Sequence, residues 1–255
     1  MMHHRTLMTA CGLTIVAGQA MAANWLTFAG SNQRQGYNGT ETVLTAMTVA
    51  GLKRHWDVNL AATSETQPLF IENVATPNGT HNEVFQTTVT GKVMALNAAT
   101  GSIDWHVQLP GAAPLCAPNS STGVHGTPTI DPVAGLLYVV DSLGKLHALN
   151  IANGSEATGY PVQVIAATDL AHANYYHGSP SLVGNTLYVT TSIVAKCEGT
   201  TKFNGSVIAF DTSTEAVSGT FYPVAQPDNG GGIWGPGGAM WDAVNSNLLT
   251  ATGNS

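Results

Sequence analysis

The chain has 255 residues and a formal net charge of −7, with eight Lys and Arg against fifteen Asp and Glu. That balance leaves no basic footprint for nucleic acid and no Lys/Arg cluster to hold an anionic membrane surface. Only 9% of residues are charged, against about 25% in an average globular domain, so Thr, Asn, Ser and Gly carry the polarity, as suits short strands and tight turns.

Residues 1–22 read as a secretory signal peptide. Arg5 supplies the leading charge, Leu7 to Gly18 is an apolar run, and Ala20-Met21-Ala22 is a small-x-small cleavage site. The run is too short to cross a membrane as a helix, and no later run approaches that length. Cleavage after Ala22 or Ala23 places the mature chain in a periplasmic or extracellular compartment. Two cysteines remain, Cys116 and Cys197. In an oxidising compartment such a pair reads as a disulfide or as two separate buried thiols. Their polar loops, APLCAPNSS and VAKCEGTT, favour the bridge.

Asn24 to Leu60 reads as a set of N-terminal strands packed on the first sheet, with Trp56 placed as Trp105 is later. The first full unit spans about 61–110 and is organised on Gly91 to Trp105, GKVMALNAATGSIDW. There Val93, Ala95, Ile103 and Trp105 are apolar on a period of two, and Asn97 to Gly101 supply turn chemistry between two strands. GKLHALNIANG from Gly144 and GSVIAFDTSTE from Gly205 repeat the pattern at intervals of roughly fifty to sixty residues, the signature of an array of small sheets. A hairpin of this kind is marginal alone, so each copy must bury its faces against its neighbours. Further units span about 124–165 and 178–224, with a partial one at 230–255. Each holds about four short strands, the content of a propeller blade.

The expected fold is therefore an all-β propeller of four-stranded blades. Propellers close with roughly 4–8 blades. Either residues 24–60 supply outer strands and the ring closes at four, or the chain is the N-terminal half of a seven- or eight-bladed ring. Ending on Gly253-Asn254-Ser255 directly after a strand favours the longer ring, because an open ring leaves edges exposed.

The repeated A-L-(N/D)-x-x-(T/N)-G followed by Trp, as in Ala95–Trp105, resembles the tryptophan-docking repeat of quinoprotein (pyrroloquinoline quinone, PQQ) dehydrogenase propellers. NWLTFAGSNQRQGYN resembles the start of mature proteins in that superfamily, and GGGIWGPGGAMWDAVNSNLLTATGN resembles its segment carrying a cofactor-stacking Trp and a calcium-ligand Asn. The resemblance covers essentially the whole mature chain. It implies that Trp234 lies under the quinone ring, that Glu198 and Asn254 are Ca²⁺ ligands, and that Cys116 occupies the loop where dehydrogenases carry two adjacent cysteines. Here Ala117 follows Cys116, and a Cys116–Cys197 bridge would take a related position. The family's catalytic Asp follows the Gly-Asn motif by one blade, so the resemblance assigns no catalytic residue to these 255 residues.

The chemistry fits those residue types. Ca²⁺ takes carboxylate and carbonyl oxygens and would act as a Lewis acid on the quinone, while an indole offers a flat apolar floor. Two functions from different classes follow. One is a secreted quinoprotein-type dehydrogenase oxidising a small-molecule alcohol or a polymer; the other is a cofactor-free propeller scaffold for protein or polymer binding. His125, His172 and His177 sit on loops beside the unit starts, and their spacing matches no zinc pattern.

Overall fold

The computed structural model describes residues 23–111, 123–166, 174–193, 197, 204–225 and 230–253. Residues 1–22, expected to be a signal peptide, and Cys116, Glu198 and Asn254 lie outside them. The described chain is all-β, an incomplete propeller of antiparallel meanders. Sheet 1 holds β1 (Leu69–Thr76), β2 (Gly79–Thr87), β3 (Lys92–Asn97) and β4 (Ile103–Gln108) in chain order. Sheet 2 repeats this with β5 (Thr129–Asp131), β6 (Leu136–Val140), β7 (Lys145–Asn150) and β8 (Val162–Gln163). In sheet 3, β10 (Ser181–Val183), β11 (Thr186–Ile193), β12 (Ser206–Asp211) and β13 (Ala216–Phe221) are joined by β9 (Asn174–Tyr176), which pairs with the far end of β11. β14 (Met240–Asp242) and β15 (Asn247–Leu249) form a two-stranded start to a fourth sheet.

The period of two explains how the sheets stack. Successive side chains on a strand face opposite ways, and β6 is apolar on both faces. Leu137 and Val139 pack towards sheet 1 with Phe85, Ala95 and Trp105. Tyr138 and Val140 pack towards sheet 3 with Leu187, Val189 and Phe210. Neighbouring sheets are thus glued through shared apolar layers, the condition under which short hairpins become stable.

Tryptophan docking ties the N-terminal segment to sheet 1 and sheet 1 to sheet 2. Trp105 Nε1 donates to Ile151 O at 2.9 Å, and its ring lies on Gly154 in the turn after β7. Trp56 does the same one step earlier: Nε1 donates to Ala98 O at 2.9 Å and the ring lies on Gly101 in the turn after β3. Between sheets 2 and 3 no tryptophan stands in this place. Tyr160 fills it, with ring centroids 6.2 Å from both Tyr138 and Phe210.

Three expectations are corrected. Residues 24–60 contain no strand; they hold a single bridge from Trp25 to Phe70 and two 3-10 turns, Phe28–Gly30 and Val49–Gly51. The stretch carrying Trp56 docks through its indole, and among the described residues no strand pairs with it. Second, the three repeated glycines are not alike. Gly91 (φ 88°) and Gly144 (φ 72°) close tight turns before β3 and β7, whereas Gly205 has no left-handed φ and packs on Gly231. A longer connection between β11 and β12 replaces the tight turn there. Third, residues 25–34 thread along the first strand of every sheet. Trp25 pairs with Phe70, Leu26 O accepts from Ile130 N at 2.8 Å, Asn32 Nδ2 donates to Leu182 O, and Asn32 O accepts from Trp241 N at 2.9 Å.

Arg34 anchors that strap. Its Nε donates to Gly237 O (2.9 Å), Nη1 to Thr27 Oγ1 (2.7 Å) and Phe28 O (3.0 Å), and Nη2 to Ser179 O and Pro180 O (both 3.0 Å) and Ser181 Oγ (2.7 Å). Burial pulls its guanidinium down to about 10, still charged at neutral pH. In sheet 2, His147 Nδ1 lies 2.7 Å from Glu156 Oε2 and Nε2 lies 3.2 Å from Asp141 Oδ2. Burial alone would favour the neutral ring, but the hydrogen bonds and charges of Asp141 and Glu156 outweigh it and push His147 up to about 9.

Candidate functional site

The site is built where the first strand of each sheet begins. A chain of hydrogen bonds links equivalent positions there. Gln67 N donates to Thr127 Oγ1 (2.9 Å), Thr127 N to Ser179 Oγ (3.1 Å), and Ser179 Oγ to Pro236 O (2.7 Å). Two residues before each member stand Glu65, His125, His177 and Trp234. These four residues therefore share one register on a common rim, at the starts of four successive units. Gly126 is needed in this wall, because a Cβ there would collide with the Tyr176 hydroxyl and Gly178 O.

Three of the four are coupled. His125 Nδ1 lies 2.7 Å from Glu65 Oε2, and the His125 and His177 rings are 5.9 Å apart. Burial, reinforced by the charge of His125, lowers His177 below the ordinary histidine range, so its ring is neutral at pH 7. Glu65 is half exposed and orients the imidazole from the solvent side. Such a set can hold a polar ligand group by hydrogen bonds and keep a proton at a stated nitrogen.

Trp234 presents an indole that is 54% exposed. Its backbone is fixed from below: the preceding Ile233 is buried, and Ile233 N donates to Thr191 O at 3.0 Å. Gly232 bridges Gly253, and a Cβ at Gly253 would stand 2.7 Å from Trp234 Nε1. The Nε1 edge of the ring thus abuts Gly253, while about half of the indole stays open to solvent. An exposed indole is a flat apolar surface for a planar ligand, and the residues in the same register, an acid and two imidazoles, are polar. The residues present fit a quinone of the PQQ type.

The chain matches the PQQ family model, described as the β-propeller domain of glucose/ethanol/alcohol dehydrogenases, over residues 25–247. It belongs to the PQQ β-propeller family. Among curated proteins this PQQ propeller is 26% identical to a polyvinylalcohol dehydrogenase of Pseudomonas sp. over 78% of its own length and 30% of that protein. It is 29% identical to an uncharacterised protein of Rickettsia conorii over 58% of its length and 32% of that protein. The PQQ propeller described here thus spans about a third of the length of the curated relatives it matches. Solved structures share its fold. The quinohemoprotein alcohol dehydrogenase of Comamonas testosteroni matches with a TM-score of 0.71 at 17% identity, covering 91% of this chain and 35% of that one. The enzyme of Pseudomonas putida HK5 gives 0.69 at 18% identity, over 91% and 34%. A europium-containing methanol dehydrogenase gives 0.69 at 16%, over 91% and 42%.

Of the residues expected at the site, Trp234 and Cys197 lie among the described residues. Cys197 is buried and disulfide-bonded, with its partner outside the described residues. Sequence reasoning missed Glu65 and set aside His125 and His177. The signal was present: aligning the units on Pro68, Pro128 and Pro180 puts Glu65, His125 and His177 each three residues before proline, and Trp234 stands three before Gly237.

Proposed function

We propose that this chain is the N-terminal part of a secreted or periplasmic quinoprotein-type dehydrogenase that oxidises an alcohol, with PQQ and Ca²⁺ as cofactors. The observation that carries the reading is the exposed indole of Trp234 in register with Glu65, His125 and His177 on one rim. The polyvinylalcohol dehydrogenase among the relatives extends the substrate class from small alcohols to hydroxylated polymers.

In this reading Trp234 is the floor for the ring, Glu198 and Asn254 hold the metal, and Cys116, bridged to Cys197, covers the opposite face. The bound quinone supplies a two-electron acceptor whose carbonyl the metal polarises. The chain's own groups position the alcohol. Glu65 accepts from His125 Nδ1, which keeps that proton on Nδ1 and fixes the ring's orientation. Neutral His177 would offer the alcohol a hydrogen bond without adding charge to the site.

The test is the full-length gene product titrated with PQQ and Ca²⁺, read by quinone absorbance and melting temperature. A ligand that binds only the folded state raises the melting point. Wild type should shift, Glu198→Gln should lose the Ca²⁺-dependent part, and Trp234→Ala should weaken quinone binding while leaving the apo melting point nearly unchanged. No shift at saturating quinone would discard the enzyme reading in favour of the cofactor-free scaffold.

A further inference from the structure

At the opposite end of β1 from the rim, a second group of ligand-type side chains converges within sheet 1. His81 and Glu83 lie two residues apart on β2 and so share a face, and Asp104 reaches them from β4. His81 Nε2 lies 3.0 Å from Glu83 Oε1 and also contacts Asp104 Oδ2. One ligand atom from each residue falls within 4.8 Å of the other two. A single ring nitrogen carries at most one proton, so it cannot donate well to two carboxylates at once.

Burial sharpens the conflict. Glu83 is fully buried, and its Oε2 has no hydrogen-bond partner. Native proteins rarely leave such an acceptor unanswered. We propose that His81, Glu83 and Asp104 bind one divalent transition ion of the zinc class.

The donor set fits that ion. Bonds of about 2.0–2.2 Å to N and O in a tetrahedron put neighbouring ligand atoms roughly 3.3 Å apart; His81 Nε2 and Glu83 Oε1 stand at 3.0 Å, and the closer Asp104 carboxylate must swing away from the ring to admit the ion. One imidazole with two carboxylates suits zinc better than the all-oxygen sets of calcium or magnesium. The ion's two positive charges balance the two carboxylates. Asn78 Nδ2 donates to Asp104 Oδ1 at 3.1 Å, an outer contact of the kind that orients a ligating carboxylate. His81 and Asp104 remain slightly exposed, which leaves water a route to the fourth position.

The consequence for the fold is local. β2 and β4 flank β3 and the turn that receives Trp56, so the ion clamps the seat of that indole from both sides.

The experiment is titration of the chelator-stripped chain with Zn²⁺, followed by calorimetry and melting temperature, with Co²⁺ absorption as a probe of ligand geometry. The expected result is one ion per chain, bound at micromolar or tighter concentration. His81→Gln and Asp104→Asn should each weaken it at least a hundredfold, and His125→Gln should leave it in place. Binding only at millimolar Zn²⁺ overturns the proposal. So does one-to-one binding that survives His81→Gln, or that disappears in His125→Gln alone. Should the sheet 1 variants fail to fold, the wild-type Co²⁺ spectrum decides: the intense visible bands of a tetrahedral ion support the site, and the weak bands of an octahedral, water-coordinated ion refute it.

Discussion

Replacing Gly154 by alanine puts the docking of Trp105 to a quantitative test. Gly154 has φ 73°, and a Cβ there would stand 2.5 Å from Trp105 Cε3. Gly135 offers a matched control, with φ 67° and nothing within 4 Å of the added atom. Both substitutions incur the left-handed penalty of about 1–2 kcal/mol, and both gain the same loss of unfolded-state freedom. Only Gly154→Ala must also displace the indole. That breaks the 2.9 Å bond to Ile151 O, about 1 kcal/mol, and disturbs the Phe85 ring 5.8 Å away, about 0.5–1.5 kcal/mol. Gly154→Ala should therefore be destabilised by about 3–4 kcal/mol and exceed Gly135→Ala by about 2 kcal/mol. Urea unfolding followed by tryptophan fluorescence and far-ultraviolet circular dichroism measures both. Equal midpoints for the two variants would show that the turn glycine is kept for its backbone alone and that the indole bears no inter-sheet load.

Two further outcomes follow from buried charge. Arg34→Met removes six hydrogen bonds from one guanidinium and strands buried carbonyls of Ser179 and Pro180, so stability should fall by roughly 3–5 kcal/mol, with Arg34→Lys recovering part of it in a melting-temperature comparison. His147 sits at about 9 when folded against an ordinary 6.5. Its raised value contributes stability that is fully present below about 6.5 and is lost as pH rises through about 9, at most about 3 kcal/mol. Denaturation midpoints should drop across that window in the wild type and stay flatter in His147→Gln.

Much of the fold was legible because it is periodic. Alternation in Leu136–Val140 and the A-L-N turn chemistry of Ala95–Gly101 are local signals, and both sheets formed as they implied. What stayed hidden is long-range. Tyr160 standing in for a tryptophan cannot be read from its neighbours, since the contact depends on Phe210 fifty residues later. The strap of residues 25–34 carries no period, because each residue answers to a different sheet. At the candidate site, Trp234 was singled out by the family resemblance of its segment, while Glu65 and His125 acquire meaning only through a contact spanning 60 residues.

That strap also constrains the order of assembly. Trp25 to Arg34 are made before every strand they touch, and their last partners, Gly237 and Trp241, arrive some two hundred residues later. The segment has no complete berth until the fourth unit exists, and such distant closures are intrinsically slow. A segment made early is thus late to settle, and its seating reports that all four units have met.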